Sequence, residues 1–320
     1  MRILVTGASG LLGVNLAMAA AREHEVTGQV NAMPLQGASF SQITGDLLAD
    51  GAVERMLDEA RPDWVIHCAA LADVDACEKQ PDAAREVNAL LPGRIASACV
   101  NRARLVYIST DAVFDGIRGG YTEEDTPNPL SIYARTKLDG ESAVLKADPS
   151  AIVARINIFG WSIFGKRSLA EWFFYNLQAG LPVKGFTDVF ITTQLTTDLA
   201  GILLEMLSAG LSGLYHVAGA DCGSKYDFAR QIARRLGADE QLVTPVSVDD
   251  FGLKAARSKN LCLNTNKLFR VIHSPLPRLS TGLDRFFDQY AQGYPHLLRK
   301  MVDNSVENLN PYAQGGSSGN

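Results

Sequence analysis

No run of apolar residues in this chain approaches the ~18 that a membrane-spanning helix needs. The longest uncharged, largely apolar stretch, Met206–Ala220, is shorter and contains Ser, Gly and His. No membrane span is expected. The opening Met1-Arg2-Ile3-Leu4-Val5-Thr6-Gly7 reaches glycine before it builds the apolar core of a signal peptide, so no export is expected either. Positive charge is also scarce: 30 Lys and Arg against 35 Asp and Glu give a net charge of −5, and the basic residues do not cluster. Without a basic field to draw in a polyanion, nucleic acid is not an expected partner. The five cysteines, Cys68, Cys77, Cys99, Cys222 and Cys262, form no C-x-x-C pair and have no histidine at zinc spacing. They read as buried or idle thiols of a cytoplasmic protein, and no metal site is expected. What remains is an ordinary globular composition, 47% hydrophobic and 20% charged over 320 residues. At roughly 150 residues per domain, that is one large domain or two small ones.

Short β-branched runs alternate with helical patterns through the first half. Ile3-Leu4-Val5, Glu25-Val26, Trp64-Val65-Ile66, Leu105–Ile108 and Ile152-Val153-Ala154 read as strands. Leu11–Ala21, Ala49–Ala60, Asp82–Arg102 and Ser131–Lys146 read as helices. Apolar, non-alternating strands separated by helices mean a parallel sheet covered on both faces, so the expected class is α/β, a doubly wound parallel sheet. Beyond about residue 156 the rhythm loosens into helix candidates at 168–179, 194–208, 225–236 and 280–292, which suggests a smaller mixed α/β lobe. We therefore expect a dinucleotide-binding domain over 1–155, a lobe for substrate over 156–302, and a flexible tail over 303–320. The stretch near 213–218 is strand-like enough to return to the main sheet.

Gly7-Ala8-Ser9-Gly10-Leu11-Leu12-Gly13 follows the first strand and opens the first helix. Glycines at this spacing permit a tight turn, backbone approach to a pyrophosphate and close helix–strand packing, while the helix N-terminus offers N–H donors to the anion. The acid that meets the adenosine ribose at the end of a second strand is missing from Thr27-Gly28-Gln29-Val30-Asn31, and no Arg or Lys lies between Arg22 and Arg55. Gln29 or Asn31 suits a neutral ribose diol, and the choice between NADP and NAD stays open. Asp46, in Gly45-Asp46-Leu47, suits an adenine amino group or a helix cap. Asp73 and Asp75 suit either substrate or a cap. His67 reads as a packed core histidine, and Trp172-Phe173-Phe174-Tyr175 as core of the second lobe.

Tyr133 and Lys137 stand at i and i+4 of the helix that opens near Ser131, hence on one face. Ser109-Thr110-Asp111 ends a strand at the carboxyl edge, where doubly wound sheets bind ligands. A cation beside a phenol favours phenolate and is expected to lower the Tyr133 pKa toward working pH. That would give a proton donor for a carbonyl reduced by hydride, with Thr110 or Ser109 holding the oxygen.

Together, Gly7-x-x-Gly10-x-x-Gly13, Ser109-Thr110-Asp111-x-Val113-Phe114-x-Gly116 and Tyr133-x-x-x-Lys137-x-x-Gly140-Glu141 resemble the extended short-chain dehydrogenases/reductases, particularly the dTDP-4-dehydrorhamnose reductase family. Pro62–Ala70, Glu123–Leu130, Gly213–Gly219, Tyr226–Ala229 and Asn260–Leu268 extend the resemblance over about residues 1–300. It implies that Tyr133 is the acid, that Lys137 binds nicotinamide ribose and tunes Tyr133, and that Thr110 orients the substrate oxygen. Asp111 and Asn157 are implied beside the substrate. Gly7, Ser9, Gly10, Leu11, Leu12, Gly13, Gln29, Asp46, Leu47, Ala69 and Ala70 are implied along the cofactor. Ala112 and Ile158 depart from the pattern, which usually has Tyr and Trp there, so the sugar pocket loses two rings.

The expected function is an NAD(P)H-dependent reductase of a nucleotide-linked 4-keto sugar, with a homodimer left open. A nucleotide-sugar epimerase or dehydratase is the enzymatic alternative. Ala112 argues against the dehydratase, which usually carries an acid there. A non-catalytic dinucleotide-binding subunit, like the methionine adenosyltransferase beta subunit that shares these motifs, is the other.

Overall fold

A computed structural model describes residues 1–165, 168–251 and 258–302. The segment expected to be a flexible tail, 303–320, lies outside them. Seven strands form one parallel sheet: β1 (Arg2–Thr6), β2 (Glu25–Val30), β3 (Ser41–Thr44), β4 (Trp64–His67), β5 (Arg104–Thr110), β6 (Ile152–Ile156) and β7 (Gly213–His216). Their order is β7-β6-β5-β4-β1-β2-β3, the doubly wound arrangement expected of the sequence. Side chains alternate across the sheet. Leu4, Val65, Leu105 and Val153 face one layer, and Ile3, Val5, Ile66, Val106 and Ala154 the other. On the first face pack α2 (Ala52–Ala60), α3 (Leu91–Cys99) and α4 (Ile132–Ala147). On the second lie α1 (Leu11–Ala20) and, later in the chain, α6 (Thr196–Ser208). β7 pairs with β6, so the chain returns to the main sheet after a long excursion.

The expected helices appear, and several open on a side-chain cap. The hydroxyl of Ser131 accepts from Ala134 N–H to start α4, and Ser168 and Glu171 form a reciprocal capping box at α5 (Leu169–Gln178). Asp73 caps the short helix Val74–Lys79 by accepting from Ala76 N–H. The single helix expected over Asp82–Arg102 contains one widened π turn at Glu86–Leu90. The carbonyl of Asn88 in that turn accepts from the Tyr107 hydroxyl at 3.0 Å, and the Asn88 side chain makes two hydrogen bonds to the Leu71 backbone.

Aromatic packing joins the rest to the sheet. Trp161 stacks on Phe286 of α8 (Leu279–Ala291) with ring centroids 3.9 Å apart, and Phe174 meets both. Buried Asn15 of α1 donates to Trp161 O and accepts from Tyr294 Oη of α9 (Tyr294–Lys300).

The five-idle-thiol expectation is corrected: Cys222 and Cys262 form a disulfide. Phe190–Ile191 sits between Gly223–Ser224 and Asn260–Leu261 in a small sheet, and the two cysteines lie just beyond those outer strands at the same end. Register, not sequence spacing, brings them together. Cys68, Cys77 and Cys99 are free.

Deep between α4 and β6, Glu141 Oε1 and Oε2 accept from Arg155 Nε at 2.9 Å and Nη2 at 2.7 Å, with both side chains almost fully buried. Glu141 Oε1 also accepts from Ser109 Oγ at 2.5 Å. Removing one partner leaves a buried charge, a cost of about 3–5 kcal/mol, whereas apolar replacement of both is often near neutral. Glu141→Leu or Arg155→Met alone should each lower unfolding free energy by that amount in denaturant titrations. The double variant should recover most of the loss, and additive losses would refute the pairing. Reducing the Cys222–Cys262 bond, which spans 40 residues, should cost about 2–4 kcal/mol. An unchanged melting temperature under reductant would contradict a closed disulfide.

Candidate active site

Because all seven strands run parallel, the connections that follow them open onto one edge. There the glycine loop after β1, Gln29 at the end of β2, Asp46 and Leu47 after β3, Ala69 and Ala70 after β4, Thr110 and Asp111 at the end of β5, and Asn157 after β6 come together. α4 lies across the β5 end and brings Tyr133 and Lys137 to the same place.

At the glycine loop, Gly7 adopts φ +66°, and a Cβ there would stand 2.7 Å from Ala69 Cα. A Cβ on Gly13 would stand 2.2 Å from the Gly7 carbonyl oxygen, so α1 seats directly on the turn. No side chain caps α1 and no acid sits in its first turn. The leading N–H groups therefore face outward with the positive end of the helix dipole, a cradle that fits a pyrophosphate. Gln29 is turned inward. Its Oε1 accepts from Gly7 N–H at 3.1 Å and its Nε2 donates to Gly45 O at 2.8 Å. Both ends of the amide are occupied in holding the turn, which leaves exposed Asn31 as the polar residue just after β2. Asp46 Oδ1 accepts from Leu48 N–H within a turn, while Gly51, at φ +67°, fills the N-cap of α2. Asp46 is therefore not the cap of that helix.

At the β5 end, the two candidate hydroxyls separate. Ser109 is committed to Glu141, whereas Thr110 Oγ1 accepts from Ala112 N–H at 3.1 Å and donates to Asp111 Oδ1 at 3.2 Å. Thr110 also stands beside the Tyr133 phenol. Asp111 is buried, and Asn157 Nδ2 donates to its Oδ2 at 2.7 Å. Burial raises the Asp111 carboxyl to about 6 against the pull of Asn157, Thr110 and Lys225.

Lys137 Nζ donates to Ile108 O at 2.6 Å and lies 4.1 Å from the centre of the Tyr107 ring. Burial lowers its pKa to about 7, opposed by Glu141. The expected lowering of the Tyr133 pKa by Lys137 is corrected: burial pushes the phenol up to about 12, with Thr110 pulling the other way. The ammonium is directed at Ile108 O, so the i, i+4 spacing places the pair on one face without coupling their titrations. At neutral pH Tyr133 holds its proton.

Further residues shape the site. His67, fully buried, meets Thr6 Oγ1 through Nδ1 at 2.6 Å and stacks on Tyr107, and burial lowers its pKa to about 3. Arg155 and Glu141 were not recognisable as a pair in sequence, yet a lone arginine inside an apolar strand signals a buried counter-charge. The loop before α4 is anchored where Glu123 Oε1 accepts from His216 N–H at 2.8 Å. No described helix is long and apolar enough to cross a membrane, and no His, Cys, Asp or Glu cluster among the described residues suits a metal.

The RmlD substrate binding domain model matches residues 1–292. The dTDP-4-dehydrorhamnose reductase of Mycolicibacterium smegmatis is 35% identical, over 86% of this chain and 81% of that protein. Methionine adenosyltransferase 2 subunit beta of Rattus norvegicus is 34% identical, over 83% and 81%. The crystal structure of dTDP-4-dehydrorhamnose reductase from Bacillus anthracis in complex with NADP superposes with a TM-score of 0.78 at 29% identity, covering 90% of this chain and 99% of that one. The glycine loop, the Thr110 and Tyr133 hydroxyls and a match over residues 1–292 have one reading: the chain belongs to the RmlD substrate binding domain family.

Proposed function

We propose that this protein reduces the keto group of a nucleotide-linked 4-keto sugar, with residues 1–155 holding the cofactor and 156–302 most of the substrate. The observation that carries the reading is the convergence of a protonated phenol, Tyr133, with the Thr110 hydroxyl at the carboxyl edge of the sheet that also bears the glycine loop. The M. smegmatis and B. anthracis relatives, named as reductases of dTDP-4-dehydrorhamnose, support the substrate class.

The chain is an NAD(P)-dependent oxidoreductase. When bound, the nicotinamide supplies hydride to the carbonyl carbon. The N-terminus of α1 receives the pyrophosphate, and Gln29 keeps the Gly7 turn in shape for it. Thr110 Oγ1 orients the carbonyl oxygen, and Tyr133 Oη delivers its proton there as negative charge develops. Lys137, whose Nζ is held by Ile108 O, would meet the nicotinamide ribose. Half-buried Ala112 and Ile158 leave the sugar pocket wider than two rings would. A cytoplasmic location goes with the reading, and the Cys222–Cys262 bond is the sign against it.

The 34% identity to a methionine adenosyltransferase beta subunit favours a second reading, a cofactor-binding regulatory subunit. A panel of nucleotide 4-keto sugars, followed at the reduced-nicotinamide absorbance, decides between them. Turnover supports the reductase. Tight cofactor binding with no turnover of any member supports the subunit.

Tyr133→Phe should leave cofactor affinity within about twofold and reduce kcat by roughly 10²–10⁴. Lys137→Ala should weaken both. Equal kcat in wild type and Tyr133→Phe would remove Tyr133 from the role of acid. With Asn31 in place of an acid or a cation at the end of β2, NADH and NADPH should bind within about tenfold of one another, 1.4 kcal/mol. A hundredfold preference by calorimetry would place the selection elsewhere.

A further inference from the structure

Thr110 has one hydroxyl proton, for which Asp111 Oδ1 and a substrate oxygen would compete. Its oxygen already accepts from Ala112 N–H, and its proton points to Asp111 Oδ1. While Asp111 is a carboxylate it can only accept, so that proton is withheld from a substrate oxygen. On the far side of Asp111, Asn157 Nδ2 donates to Oδ2 at 2.7 Å. A proton arriving on Asp111 therefore settles on Oδ1, the oxygen that faces Thr110.

We propose that Asp111 is a positioning residue whose protonation turns the Thr110 hydroxyl outward: neutral Asp111 donates to Thr110 Oγ1, and the Thr110 proton is then free to hold the carbonyl oxygen beside Tyr133. The inference rests on the reductase reading and deepens it.

The surroundings support a neutral Asp111. The side chain is 3% exposed. Its neighbours are Thr110 at the end of β5, Asn157 after β6, Tyr133 on α4 and the Lys225 ammonium at the start of α7 (Lys225–Leu236). Burial outweighs Lys225 and the two hydrogen bonds, and holds the carboxyl near 6. An anionic nucleotide sugar closing over the site removes more water and adds negative charge, which moves the titration above 6. The sign follows: the competent form is the protonated one, present at low pH and lost as pH rises.

Asp111→Asn is the decisive variant, because it is close in shape to the neutral acid and never ionises. Its carbonyl can take the Asn157 N–H while its NH₂ faces Thr110. Above the Asp111 titration, wild-type kcat should fall about tenfold per pH unit with KM moving less than about threefold, as expected when only the competent fraction reacts. Asp111→Asn should show no such fall, and Asp111→Ala should be low and flat across the range. An identical alkaline fall in Asp111→Asn, or Asp111→Asn as inactive as Asp111→Ala at every pH, overturns the proposal. Melting curves check that both variants fold.

Carbon-13 labelling of aspartate gives a readout that needs no turnover. In the cofactor-loaded protein the carboxyl signal absent from Asp111→Asn should titrate at about 6 or above. Titration at the ordinary aspartate value near 4 overturns the proposal even if the enzyme is active. Should no sugar be turned over while this signal titrates as expected, the reductase reading fails and with it the role given to Thr110, and only the raised Asp111 titration stands.

Discussion

A carboxylate and a guanidinium buried between α4 and β6 fix how α4 sits against the sheet. Tyr133, Lys137 and Glu141 share one face of α4, and the bidentate grip of Arg155 on Glu141 sets both the rotation and the height of that helix. Ser109 adds a third bond from β5, one residue before Thr110. Eight residues of helix separate Glu141 from Tyr133, about 12 Å. An anchor at that distance therefore determines whether the phenol meets the Thr110 hydroxyl. An exposed pair, worth about 0–1 kcal/mol, would not serve.

At the cofactor end, the chain replaces a missing side chain by bracing. Without an acid after β2 to meet a ribose, the sequence places Gln29 under the glycine turn and bonds it to both Gly7 and Gly45. The turn there is held by backbone shape more than by charge. Gly7 and Gly13 make the same demand, since a side chain at either collides with backbone.

What was legible in the sequence was local. The strand–glycine–helix unit at Gly7–Gly13, the Tyr133/Lys137 face and the helix opening near Ser131 follow from neighbours within a turn or two. The doubly wound sheet was legible because its central strands are largely apolar. What stayed hidden depends on distant packing. The inward turn of Gln29 is set by Gly45, the Cys222–Cys262 bond by the register of Phe190–Ile191, and the proton affinity of Tyr133 by burial. The widened turn at Glu86–Leu90 exists to meet Tyr107 from another strand, which no local pattern announces.

The bond between Cys222 and Cys262 closes a covalent ring that contains α7 and the strand Val243–Val246, which pairs with Val183–Phe186. A protease that cuts the turn around Gly237, where the backbone is exposed after α7, breaks the chain without releasing either piece. The nicked protein stays one covalent molecule until a reductant opens the ring, so damage between Cys222 and Cys262 is silent in an oxidising medium and visible in a reducing one.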